Sequence, residues 1–77
     1  MAGLSFKAAL TASDSTRTDP GIYFRVNCTV AGDVKVETPG GSDTLTVAVG
    51  TSFFPVSVIR VYSTGTTATA TYANYYR

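Results

Sequence analysis

One stretch of the chain, residues 53–76, is dominated by β-branched and aromatic residues and is interrupted once by a turn. The turn is marked by Ser63-Thr64-Gly65, and the runs on its two sides, residues 56–62 and 66–72, have the composition of strands. Two such runs joined by a short glycine-containing turn predict an antiparallel β-hairpin. The apolar positions change phase near Ile59, which predicts a β-bulge there. We expect the upstream segments to add strands to this hairpin.

The segment from Ile22 to Ala31 has the clearest strand pattern. Its residues alternate, and the predicted apolar face consists of Ile22, Phe24, Val26, Cys28 and Val30. Two shorter runs, residues 34–37 and 44–49, follow turns at Gly32-Asp33 and at Pro39-Gly40-Gly41. Five to six short strands without a helical period predict an all-β fold, either a small antiparallel β-sandwich or a barrel.

Residues 1–21 differ from the rest of the chain and are predicted to form an extended N-terminal arm. The alternation from Leu4 to Leu10 indicates a short strand, and the polar residues 11–21 end in Pro-Gly. Two interpretations stay open, a flexible terminus or an arm that becomes ordered on a neighbouring subunit. On either interpretation residues 22–77 form a single β domain, and removal of the arm should leave the β fold intact.

The chain lacks the usual means of stabilising a small domain. With 77 residues it can bury only a small core, and such domains commonly depend on disulfides, a metal ion or association with other chains. The single cysteine, Cys28, and the absence of histidine exclude an internal disulfide and a Cys/His zinc site. We expect no metal or other cofactor. Association with its own copies or with a larger partner is the expected source of additional stability.

The charge pattern argues against several classes of protein. The net charge is +1 and the basic residues are scattered singly, whereas nucleic-acid-binding domains normally carry a basic stripe. A small β-barrel that binds single-stranded nucleic acid is the alternative, because Tyr23, Phe24 and Arg25 are the residue types of a stacking platform. No apolar run is long enough for a membrane helix, and residues 1–7 lack the pattern of a secretory signal. We expect no membrane partner and synthesis in the cytoplasm.

The sequence contains no arrangement of residues that is typical of a catalytic site. Serines are numerous, but no histidine is present to act as their base, and Cys28 falls on an apolar strand face. Aspartates at turns ordinarily accept hydrogen bonds from the local backbone. The five carboxylates are Asp14, Asp19, Asp33, Glu37 and Asp43. We predict that the protein is not an enzyme.

Candidate interaction residues lie towards both ends of the chain. Tyrosine combines apolar area with a hydrogen-bonding hydroxyl and is enriched in protein interfaces. The tyrosine-rich C-terminal end and the arm therefore supply the candidates for contact with other subunits or with a larger partner. They are Phe6, Arg17 and Asp19 in the arm, and Tyr72, Tyr75, Tyr76 and Arg77 at the C-terminal end. The alternative is that Tyr72 belongs to the core and that the last two tyrosines only cover one end of a barrel.

Several short motifs between residues 22 and 77 occur in an order and spacing similar to those of a known family. They are Ile22-Tyr23, Val30-Ala31-Gly32-Asp33-Val34, Gly40-Gly41-Ser42-Asp43-Thr44, Val49-Gly50, Phe54-Pro55-Val56, Arg60-Val61 and Thr64-Gly65-Thr66-Thr67-Ala68-Thr69. Together they resemble the small spike-base proteins of gene transfer agents and related tailed bacteriophages. The arm is not part of the resemblance.

The resemblance implies a structural virion protein on the outside of a phage-like head, as a spike base or as a head decoration or cement protein. It implies association with copies of the chain, as a trimer or pentamer, and with the major capsid protein. Some such proteins also hold a spike or fibre protein. The chain would be made in the host cytoplasm and would contact neither nucleic acid nor membrane.

Overall fold

The computed structural model describes residues 5–76 and confirms the predicted all-β class. Seven strands, more than the expected five to six, form two antiparallel sheets that pack face to face as a small β-sandwich. The strands are β1 (Ser5–Leu10), β2 (Tyr23–Val30), β3 (Gly32–Thr38), β4 (Gly41–Val47), β5 (Gly50–Phe54), β6 (Arg60–Val61) and β7 (Thr69–Tyr76). The four-stranded sheet has the order β1-β7-β2-β5 and the three-stranded sheet the order β4-β3-β6. No helix long and apolar enough to cross a membrane occurs within residues 5–76.

The core lies between the two sheets and is built from residues at alternate strand positions. On β2, Phe24, Val26 and Cys28 are buried, as the alternation predicts. Ile22 and Val30, predicted on the same face, lie at the two ends of this run and are exposed. The three-stranded sheet and the loop before β6 supply the facing side chains, which are Val34, Val36, Val47, Val58 and Val61.

The predicted hairpin over residues 53–76 is wrong. β6 is only two residues long, and β6 and β7 belong to different sheets. The turn at Gly65 does form, with a φ of 91° that favours glycine, but the chain after it crosses from one sheet to the other. The bulge predicted near Ile59 is also absent, because residues 55–59 connect β5 to β6 outside any strand. Val58, within this connection, is fully buried.

Two threonines explain why the chain after the turn does not pair with β6. The hydroxyl of Thr66 accepts a hydrogen bond from the backbone N–H of Lys35 at 3.0 Å. The hydroxyl of Thr67 accepts one from the N–H of Asp33 at 2.9 Å. These residues therefore bond through their side chains to β3, and the run of threonine that resembles a strand is used as a crossing between sheets.

The described part of the predicted arm lies against the domain of its own chain. β1 is an edge strand of the four-stranded sheet and pairs with β7. Residues 11–20, here called the linker, cross to the edge of the other sheet beside β6. Two backbone N–H groups of the linker donate to carbonyls there, Ser13 to Val61 and Thr18 to Ile59, each at 2.8 Å. The structure shows no break at residue 21, so removing the arm would remove a strand together with these bonds.

A charged cluster fastens the linker to the three-stranded sheet. The carboxylate of Glu37 accepts hydrogen bonds from Arg60 Nε at 2.9 Å and from Arg17 Nη2 at 3.0 Å. The side chains of Glu37 and Arg60 are 17% and 12% exposed, whereas that of Arg17 is 62% exposed. The Asp14 carboxylate accepts bonds from the hydroxyl of Thr64 at 2.7 Å and from its N–H at 3.0 Å. These two bonds hold the pKa of Asp14 below its ordinary value of 3.8.

The end of the linker is held by a buried asparagine on β7. The Nδ2 atom of Asn74 donates to the backbone carbonyls of Asp19, at 3.1 Å, and Val58, at 3.0 Å. Asn74 is fully buried, and these bonds satisfy its Nδ2 group, whereas its Oδ1 atom is buried without a hydrogen-bond partner among the described residues. At the following Gly21 a Cβ atom would overlap the carbonyl oxygen of Tyr75, which explains a glycine where the chain turns into β2.

Candidate interaction surface

The outer face of the four-stranded sheet carries a cluster of aromatic side chains. The strand register places Tyr75 on β7 beside Phe6 on β1 and beside Tyr23 on β2, and it places Arg25 on β2 beside Phe53 on β5. Alternate residues of a strand point to the same side, and the intervening residues of β2 point into the core. The five side chains therefore share the outer side of the sheet. We call this surface the aromatic face.

Tyr75 is the centre of the aromatic face. Its ring meets that of Phe6 edge to face, with centroids 5.8 Å apart, and that of Phe53 in the same way at 5.3 Å. Its hydroxyl accepts a hydrogen bond from Arg25 Nη1 at 2.9 Å, and the guanidinium carbon lies 5.5 Å from the ring centroid. Ala73, which shares this side of β7, is fully buried beneath its neighbours. The side chains therefore hold one another in a defined arrangement.

The aromatic face is apolar and weakly basic. Phe6 is 55% exposed and Phe53 is 46% exposed, although both are large hydrophobic residues. The four strands of this sheet contain two basic residues, Lys7 and Arg25, and neither aspartate nor glutamate. All five carboxylates of the chain lie instead in the linker and on β3 and β4. A contiguous exposed apolar surface of this kind is typical of an interaction site.

Two of the predicted contact residues, Phe6 and Tyr75, lie together on the aromatic face. Tyr76 follows Tyr75 at the end of β7, on the alternate side of the strand, and is exposed, with Lys7 Nζ 5.9 Å from its ring centroid. One predicted residue from the arm and one from the C-terminal end share this surface because β1 and β7 are paired neighbours.

The other four predicted contact residues do not join this surface. Tyr72 lies in the core, where its ring stacks on that of Phe24 with centroids 5.9 Å apart, and burial raises the pKa of its hydroxyl above the ordinary 10.0. It cannot contact a partner without unfolding. Arg17 and Asp19 are exposed on the linker, and Arg17 is occupied by an ion pair. Arg77 lies outside the described residues.

Three residues of the aromatic face are absent from the predicted contact set. The alternation of residues 22–31 puts Tyr23 and Arg25 on the polar side of their strand. This alternation would have been sufficient to predict that both side chains lie on the outer face of the sheet. Phe53 carries no comparable signal, because the predicted hairpin places it beside the wrong strand. No local pattern indicates that β5 is the neighbour of β2.

The remaining surfaces offer less specific arrangements. On the three-stranded sheet, Lys35 Nζ and Arg60 Cζ lie 5.3 Å and 5.0 Å from the ring centroid of Tyr62. An open depression of about 650 Å³ lies beside the end of β1. Its lining consists largely of small alanine, serine and threonine side chains, together with Leu10. Among residues 5–76, no group of three or more His, Cys, Asp or Glu side chains is placed to hold a metal ion.

Comparison of the chain with family models, with curated proteins and with solved structures finds no match. The resemblance of residues 22–77 to spike-base proteins therefore stays a prediction. The fold and the aromatic face are the structural observations on which a function can be proposed.

Proposed function

We propose that the protein is a non-enzymatic structural component of a phage-like particle and that it acts through protein–protein contacts made by its aromatic face. Its place is the outside of the head, as a spike base or as a capsid decoration or cement protein. The resemblance of residues 22–77 to spike-base proteins supports the proposal that the protein belongs to a phage-like particle. The exposed rings of the aromatic face support the mode of action.

The observation that carries the proposal is that exposed aromatic rings are held in a fixed arrangement. Phe6 and Phe53 each contact the ring of Tyr75, and Arg25 is bonded to the tyrosine hydroxyl. Rings ordered before binding lose little conformational entropy in a complex. Covering them removes apolar area from water, which contributes about 25 cal/mol per Å². Aromatic residues and arginine are also the types that most often dominate interface energies.

The proposed partners are the major capsid protein, other copies of the chain and, for a spike base, the spike or fibre protein. A surface that carries Arg25, on strands without a carboxylate, is complementary to a neutral or acidic partner surface. The chain is made in the host cytoplasm and then joins the exterior of the head. The trimer or pentamer implied by the resemblance stays a prediction.

Occupancy of purified particles tests this proposal. Particles from the organism that encodes the chain are first depleted of it by gene deletion, then incubated with purified chain and pelleted. Phe6→Ser and Phe53→Ser each remove one exposed ring, and each should weaken binding by roughly 5- to 30-fold. Val30→Ser, an exposed position at the other end of β2, is the matched control and should bind as the wild type does. Particles that never carry the chain, or equal binding by all three variants, would refute the proposal.

Binding of single-stranded nucleic acid is a second candidate, favoured by one observation. The aromatic face combines exposed rings with the cation of Arg25, and the strands that carry it contain no carboxylate to repel phosphate. Fluorescence anisotropy with labelled single-stranded DNA and RNA separates the two functions. A nucleic-acid-binding module gives an affinity that falls with salt and is weakened by Phe53→Ser, which removes an exposed stacking ring. A structural virion protein gives no such binding.

A further inference from the structure

The sandwich has four sheet edges, and three of them carry features that prevent pairing with another strand. Unpaired backbone groups at an edge are a template for a further strand unless charge, a bulge or a covering segment intervenes. β1 carries Lys7 and a register shift between Phe6 and Ala8. β4 carries the exposed Asp43. β6 is covered by the linker, whose N–H groups bond to the carbonyls of Val61 in the strand and of Ile59 just before it.

β5 (Gly50–Phe54) is the exception. It contains no charged residue and no proline, and Pro55 lies beyond its end. Its register with β2 is continuous from Gly50 to Phe54, without a bulge. Among the described strands it pairs with β2 alone, so its other side presents unpaired backbone groups. The exposed Phe53 and the exposed Val49 just before the strand add apolar surface along this edge.

We propose that β5 pairs with β5 of a second copy of the chain, antiparallel and about a two-fold axis perpendicular to the sheet. A strand without charge meets no like charge when it pairs with itself, whereas self-pairing of β1 or β4 would bring two Lys7 or two Asp43 side chains together. An antiparallel pair of identical strands is also self-complementary in its backbone hydrogen bonds.

The pairing has a definite consequence for the assembled molecule. Two four-stranded sheets become one continuous sheet of eight strands, with the two β5 strands at its centre. Because a two-fold axis perpendicular to the sheet keeps each face on its own side, the two aromatic faces form a single surface. The contact closes with two copies, so any larger assembly built through it contains an even number of chains. The inference goes beyond the proposed function and does not depend on it, and it is an alternative to the trimer or pentamer that the resemblance implies.

Light scattering of the full chain over a concentration series is the first test. The expected mass at high concentration is twice the chain mass of 8.1 kDa, falling towards one chain mass on dilution. Thr51 is the second of the five residues of β5 and is exposed. Thr51→Lys alone and Thr51→Glu alone should each remain monomeric where the wild type is dimeric, since each repeats one charge across the two-fold axis. An equimolar mixture of the two variants should recover the dimer, because each pair then joins opposite charges.

The matched control is Ser42→Lys on β4, an exposed position opposite Glu37, which should leave the dimer intact. Phe6→Ser removes a ring from the aromatic face without touching β5 and should also leave it intact, so failure of the proposed function is distinguishable from failure of this inference. A wild-type chain that stays monomeric, a trimer or pentamer, or a dimer unaffected by charge at position 51 would overturn the inference.

Amide hydrogen exchange of the wild-type chain provides a test that needs no variant. The alternate amides of β5 that do not point towards β2 should be protected at concentrations where the dimer forms and should exchange freely on dilution. Amides of β4 should not change with concentration. Free exchange along the outer side of β5 in a dimeric sample would show that the contact lies elsewhere and would overturn the inference.

Discussion

Glu37→Gln should destabilise the fold far more than Arg17→Ala, although both substitutions break the same charged cluster. The Glu37 carboxylate is shared between Arg60, whose side chain is 12% exposed, and Arg17, whose side chain is 62% exposed. Glutamine preserves the shape and one acceptor oxygen but removes the charge, so the largely buried guanidinium of Arg60 loses its counter-charge. Arg17→Ala leaves that pair in place and removes only a contact that solvent already screens.

The magnitudes follow from the difference in exposure. Removing one partner of a buried ion pair costs about 3–5 kcal/mol, and the hydrogen bond that glutamine retains reduces the expected loss to about 2 kcal/mol. The exposed Arg17 pair contributes about 0.5 kcal/mol. A domain of this length has a total stability of about 4–11 kcal/mol, so a loss of about 2 kcal/mol is a large fraction of it. The same loss should lower the Tm by roughly 8–16 °C.

Urea unfolding at neutral pH, followed by circular dichroism, measures both variants against the wild type. The effect of Arg17→Ala should vanish in concentrated salt, whereas most of the effect of Glu37→Gln should persist because the Arg60 pair is shielded from solvent. Equal losses in the two variants, or a loss below about 0.5 kcal/mol for Glu37→Gln, would mean that burial of this pair does not govern its contribution.

Three further predictions concern the linker and its attachment. Gly21→Ala should lower the urea midpoint strongly because its Cβ overlaps a backbone carbonyl, whereas Gly40→Ala, with its nearest neighbour 3.9 Å away, should have little effect. Because the folded-state pKa of Asp14 is lowered, its contribution is present above the ordinary value of 3.8 and is lost as the pH falls through the lower folded value. Urea midpoints of the wild type should therefore fall more than those of Asp14→Asn between about pH 5 and about pH 2.5, and equal falls would contradict the assigned bonds. Deletion of residues 2–20 should leave a chain without a cooperative thermal transition, and a sharp transition at the wild-type Tm would show that β1 is dispensable.

The strands whose apolar and polar residues alternate clearly are the ones that the sequence predicts correctly. β2 and β3 each place apolar side chains at every second position, and Phe24, Val26, Val34 and Val36 are buried accordingly. Glycine-rich turns separate these strands from their neighbours, so the class and much of the strand order along the chain are predictable. Cys28 is likewise buried as predicted, because it occupies an inward position on β2.

The region after Phe54 illustrates what local patterns cannot determine. β-Branched composition favours extended backbone, but extended backbone serves equally as a strand or as a crossing between sheets. The choice depends on which groups need hydrogen bonds, and here the hydroxyls of Thr66 and Thr67 satisfy the N–H groups of β3. The linker presents the same problem. Its polar composition indicates a loop, whereas its bonds to Val61 and Ile59 make it the cover of a sheet edge.

The aromatic face depends on both kinds of information, which is why only part of it is predictable. Tyr75 and Phe6 stand out as candidates by residue type, yet they become neighbours only because β1 pairs with β7 at the edge of the sheet. Phe53 joins them from β5. The sheet order β1-β7-β2-β5 brings together strands that lie far apart in the sequence. The same order leaves β5 at an uncharged edge. Hence a single topological fact, that β5 lies outside β2, determines both the place of Phe53 on the aromatic face and the edge at which a second copy is proposed to bind.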